Sequence, residues 1–94
     1  MCMNPTGVKR KLREYKALAI ARLHAIEREL KEKYPDKAER VSEVVGELLK
    51  KIYDLRTRTL SDYLMHLYKL SREFPELARL IPDETTVKEI LEEG

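Results

Sequence analysis

At 94 residues the chain is the size of one small domain, near the limit at which a single core buries enough surface to fold alone. Its lone cysteine, Cys2, excludes an internal disulfide and a cysteine zinc site, and no stretch approaches the roughly 18 apolar residues of a membrane span, so a soluble cytoplasmic protein is expected. Charged residues make up 38% of the chain at a net charge of +2, glutamine is absent and Asn4 is the sole asparagine, which is the bias of a thermophile protein and not of a strongly basic polyanion binder.

Leu, Glu, Lys, Arg and Ala dominate, and strong β-formers never alternate over a useful length, so the expected fold is all-α, a single helical domain over 1–94. Helix one is expected over 7–34. Its apolar and aromatic positions Val8, Leu12, Tyr15, Ala19, Leu23, Ile26, Leu30 and Tyr34 repeat every eleven residues, which describes a nearly straight rod of roughly 40 Å. Pro35 restricts Tyr34 and ends it.

Helix two is expected over 36–58, with Val41, Val45, Leu48, Ile52, Leu55 and Thr59 at alternating steps of four and three. The short Tyr-Pro-Asp link makes the pair a long antiparallel helical hairpin. Gly46 either admits a close neighbour or is a surface glycine that costs about 1 kcal/mol relative to alanine. A third helix follows over 60–73 after a break near 57–61, where Thr59 and Asp62 have capping-box spacing. Pro75 opens a short helix over 75–81, and the tail forms a helix over 86–93 with Thr86 and Glu89 as its box. The tail's apolar face, Val87, Ile90 and Leu91, is too short to hold by itself and must dock on the hairpin or on another chain.

The two ends carry opposite charge. Met1 to Arg28 holds seven Lys or Arg against two Glu, and Asp83 to Gly94 holds five acids against one Lys. Such ends attract one another within the fold or across an assembly, or the basic one grips phosphates through Lys9, Arg10, Lys11, Arg13 and Lys16. The near-neutral total favours the first reading.

No phosphate loop, nucleophile elbow or pair of acids on an apolar face occurs, so no enzyme, cofactor or small-molecule substrate is expected. His24 with Glu27 and His66 with Asp62 share helix faces, and four such side chains brought together would suit a divalent metal; boundary histidines on amphipathic helices are the simpler reading, and no metal site is assigned. The stripes look longer than one chain of this size can cover. Tyr53, Arg56, Arg58, Leu60 and Tyr63, together with Val87, Ile90 and Leu91, are accordingly the expected interface with a protein partner or a second copy.

The segment 38–60 resembles the helical region of archaeal GINS subunits, components of the replicative helicase assembly. Ile52, Arg56 and Leu60 match in order an Ile-x-x-x-Arg-x-x-Lys-Ile run at the end of a helix there, with Thr59 in place of the lysine. The resemblance implies a non-catalytic scaffold in DNA replication whose helices bundle with other subunits. No counterpart of the small β-rich GINS domain is present, so it implies a helical domain alone or a reduced relative. The expected function is therefore a helical protein-interaction subunit. The alternative is a small DNA-binding or RNA-binding protein that uses the basic start of helix one.

Overall fold

A computed structural model describes residues 10–93, and among them the fold is an all-α helical bundle. Four α-helices, α1 (Arg10–Lys33), α2 (Ala38–Tyr53), α3 (Leu60–Glu73) and α4 (Glu84–Glu93), are joined by 3-10 segments over Pro35–Lys37, Thr57–Thr59 and Pro75–Leu80. The positions expected of helix one before Arg10 lie outside the described residues.

Helix α1 buries Leu12, Tyr15, Ala19, Leu23, Ile26 and Leu30, one side of a regular helix. Tyr34 leaves it at φ −130° and ψ 66°, the extended bias a following proline imposes. Helix α2 returns antiparallel along α1 and buries Val41, Val44, Val45, Leu48 and Ile52. Gly46 has nothing within 4 Å of where a Cβ would stand, so it is a surface glycine and admits no close neighbour.

The helix expected over 36–58 is shorter than its stripe. It ends at Tyr53, Arg56 adopts φ −130° and ψ 164°, and Leu55 enters the core from outside any helix. The Thr57–Thr59 turn preserves a three-residue spacing, so the apolar period runs through a real break. Thr59 does not cap α3 with its side chain. Its Oγ1 accepts the Arg56 amide at 2.9 Å and closes the turn behind it instead.

Helix α3 runs antiparallel to α2, with Arg40 gripping Glu73 through Nε and Nη2 at 2.9 Å each and Glu47 lying 3.2 Å from His66. The Pro75–Leu80 segment then crosses α1, fastened by Arg79 to Glu29 at 2.7 and 3.0 Å and by Lys33 to the buried Glu76 at 2.6 Å. Helix α4 starts at Glu84, two residues before the expected 86. Its cap is Asp83, whose carboxylate accepts the Thr86 amide at 2.8 Å, and the expected partner Glu89 turns to Lys11 at 3.7 Å.

Contrary to expectation, the stripes of the hairpin do not outrun the chain. The Pro75–Leu80 segment and α4 fold back over the hairpin and supply Leu77, Leu80 and Ile90 to a core that also takes in Leu60, Tyr63, Leu67 and Phe74. The long seams of α1 and α2 are therefore covered by the chain itself. At about 25 cal/mol per Å² of apolar surface, each fully buried Leu or Ile contributes about 1.5–3 kcal/mol, and this closure supplies the fold's main driving force.

Candidate interaction surface

Apolar surface that the fold leaves open is concentrated between α3 and α4. Thr57, Leu60, Ser61, Leu64, Met65 and Tyr68 form one wall of a shallow groove, and Val87 and Leu91 form the other. The spacing of 57, 61, 64, 65 and 68 puts this wall beside the buried stripe of α3, and Val87 and Leu91 likewise flank the buried Ile90. Met65 is 68% exposed, Tyr68 55% and Leu91 53%, high values for side chains of this size. Thr57 Oγ1, on the same wall, is buried without a hydrogen-bond partner among the described residues. A groove of this kind offers dispersion contacts to an incoming surface.

The expected interface residues separate into two groups. Leu60, Tyr63 and Ile90 are buried to 2% exposure or less and cannot act as partner anchors. Tyr63 instead helps to hold the core together. Tyr15 donates its hydroxyl hydrogen to the Leu80 carbonyl at 2.6 Å, so the 2.6 Å contact between the two phenols is donated by Tyr63. The rings meet edge to face with centroids 6.1 Å apart. Val87 and Leu91 remain on the surface, whereas Tyr53, Arg56 and Arg58 lie exposed at or beyond the end of α2. Met65 and Tyr68, the most exposed members of the groove, are not among the expected interface residues; their place beside Leu60 and Leu64 is the signal that could have found them.

The expected phosphate-binding cluster is also divided. Lys9 lies outside the described residues. Lys11 donates its backbone amide to Glu93 at 2.7 Å and holds Glu89 with its ammonium, so the basic and acidic ends attract one another inside the fold. Lys16 reaches the carbonyls of Tyr53 and Leu55 at 2.9 and 3.3 Å and closes the C-terminal end of α2, a role favoured by the negative end of a helix. Partial burial, and then the Arg56 guanidinium nearby, push its ammonium below the usual lysine range. Arg10 pairs with Glu14 at 3.9 Å, and Arg13 stays exposed one turn before Lys16. Lys16 thus joins α1 to Tyr53 and Arg56 at one end of the bundle.

His24 lies 3.8 Å from Glu27, as its helix spacing suggests, whereas His66 takes Glu47 of α2 and not Asp62. Among the described residues, no group of three or more His, Cys, Asp or Glu side chains converges as metal ligands do. No helix among them is long and apolar enough to cross a membrane. Ile52, Arg56 and Leu60, the run that resembles GINS subunits, are divided between α2, the break and the start of α3. Compared with protein-family models, with curated proteins and with solved structures, the chain matches none.

Proposed function

We propose that this chain is a non-catalytic helical subunit that links proteins, seating an apolar helix face of another polypeptide in the groove between α3 and α4. One observation carries the reading: Met65, Tyr68 and Leu91 stand exposed together around that groove while the stripes of α1 and α2 are closed. A cytoplasmic assembly acting in DNA replication is the proposed setting, supported by the resemblance of 38–60 to GINS subunits. A photo-cross-linking amino acid at Met65, introduced into the full chain in cells, should give adducts with another polypeptide. The same group at Glu39, on the exposed side of α2, should give none. Equal yields at both positions, or none at either, would refute the reading.

A second reading, nucleic-acid binding, is favoured by Lys16, which joins the first turns of α1, with their exposed Arg10 and Arg13, to Arg56 and the exposed Tyr53 at the end of α2. It predicts an affinity for single-stranded DNA or RNA that falls steeply with salt and is weakened by Arg13→Ala and Arg56→Ala. A response flat in salt would remove it.

A further inference from the structure

Helix α1 turns Leu12, Tyr15, Ala19, Leu23, Ile26 and Leu30 to the core, where it meets α2, the Pro75–Leu80 segment and α4. At about 100° per residue, Ala21 stands opposite the middle of that stripe, and the face around it is open along the whole helix. Ala17, Leu18, Ala21 and Ala25 are exposed at its centre, Leu18 by 46%, and four charged side chains are exposed beyond them, Arg10 and Glu14 toward one end and Arg28 and Glu32 toward the other. Among the described residues Arg28 and Glu32 enter no ion pair, and Arg10 and Glu14 meet only each other, at 3.9 Å along the helix. His24, at the edge of the face, turns to Glu27.

The order of residues on this face reverses in sign about Ala21. Arg10 and Glu32 stand eleven residues to either side of it, Glu14 and Arg28 seven, and Ala17 and Ala25 four. Seven and eleven residues are close to two and three turns, so all four charges stay within about 20° of the line through Ala21. Two such helices laid antiparallel about a two-fold axis at Ala21 bring each residue level with the one equally far on the other side. Arg10 then meets Glu32 of the second copy, Glu14 meets its Arg28, and the symmetry forms each pair twice. The alanines let the two helices approach toward the short end of the usual range of about 8–10 Å, and Leu18 packs over Ala25 of the second copy.

Other arrangements of the same two faces set like charges together. A parallel pair puts Arg10 on Arg10 and Glu14 on Glu14. Sliding the antiparallel pair by four residues puts Arg10 opposite Arg28 in one direction and Glu14 opposite Glu32 in the other. The charges therefore specify one direction and one register. We infer that the outward face of α1 is a self-association surface, on which a second copy of the chain packs its own α1 antiparallel about a two-fold axis at Ala21. This contact is separate from the groove between α3 and α4 and leaves that groove open.

Sedimentation of the full chain over a range of concentrations tests the inference. The wild type should form a dimer when concentrated and dissociate on dilution. Glu14→Arg and Arg28→Glu, each alone, should weaken the dimer by about tenfold, because each turns two attractive pairs into two repulsive ones. An equimolar mixture of the two variants should dimerise as well as the wild type, since both pairs are attractive again in the mixed dimer. Ala21→Glu, which touches neither pair, sets two like charges on the axis and should leave a monomer; it serves as the test should a charge variant fail to fold by circular dichroism. A wild type that stays monomeric, single variants that dimerise unchanged, a mixture that stays apart, or a dimer that survives Ala21→Glu would each overturn the inference.

Discussion

Replacing Tyr15 by phenylalanine removes one oxygen and strands two partners. Its hydroxyl donates to the Leu80 carbonyl and accepts from Tyr63, both at 2.6 Å and both buried. A buried hydrogen bond contributes about 1 kcal/mol net, and each polar group left unpaired costs more than the bond was worth, so Tyr15→Phe should destabilise by about 2–3 kcal/mol. For a domain of this size that lowers Tm by about 10–20 °C. Tyr63→Phe removes a single bond and leaves Tyr15 on Leu80, at about 1 kcal/mol. The double variant should cost no more than Tyr15→Phe alone, because removing the Tyr63 hydroxyl removes the group that the first change stranded. Urea and thermal unfolding followed by circular dichroism would measure all three. Additive costs, or a Tyr15→Phe variant within about 0.5 kcal/mol of the wild type, would refute the reasoning.

Burial pushes the Tyr15 phenol far above its ordinary 10.0 and raises Tyr63 too, so the stability these groups give is intact below pH 10 and lost above it as the unfolded chain's phenols ionise first; alkaline unfolding should coincide with the last tyrosine titration. Arg79 holds Glu29, Arg40 holds Glu73 and Lys33 holds Glu76 below the usual carboxylate range, and hydrogen bonds from Thr86 do so for Asp83. That stability is complete above pH 4.5 and should fall as pH drops through the depressed values, seen as a decreasing Tm; a Tm that is flat through acid would contradict the pairing. Lys16→Met should lower stability by about 1 kcal/mol, because two carbonyls at and just beyond the end of α2 lose their donor; an unchanged Tm would show that water replaces it fully. Gly46→Ala should raise stability by about 0.5–1 kcal/mol, since the site is helical, exposed and open; a loss would mean that the space is not free.

The core was legible in the sequence because helical period maps directly onto burial: Leu12 through Leu30 on α1 and Val41, Val45, Leu48 and Ile52 on α2 are the positions that the spacing picks out, and Val44 is buried beside them without belonging to that spacing. Pro35 and Pro75 mark true boundaries for the same local reason. The break after Tyr53 was hidden, because a 3-10 turn keeps Leu55, Thr59 and Leu60 near the helical period. Asp83 wins the cap of α4 because an ionised carboxylate in front of the first turn also meets the positive end of the helix, which the Thr86 hydroxyl does not match. Lys16 reads as one of five cations at a helix start, and only the antiparallel register brings it to the end of α2. For the candidate surface, the pattern identifies apolar positions without saying which the chain covers. Tyr63 and Ile90 go inside, and Met65 and Tyr68, on the flank of the same stripe, stay out.

Hydroxyl-radical footprinting of the full chain, purified and dilute and then in cells, tests the central claim most directly, because Met65 and Tyr68 line the groove while Tyr53, at 61% exposure, is an internal control at the end of α2. In cells, oxidation of Met65, Tyr68 and Leu91 should fall below that of the purified chain while that of Tyr53 holds constant. Constant oxidation at Met65, or equal protection of Tyr53, would contradict the groove between α3 and α4 as the contact surface.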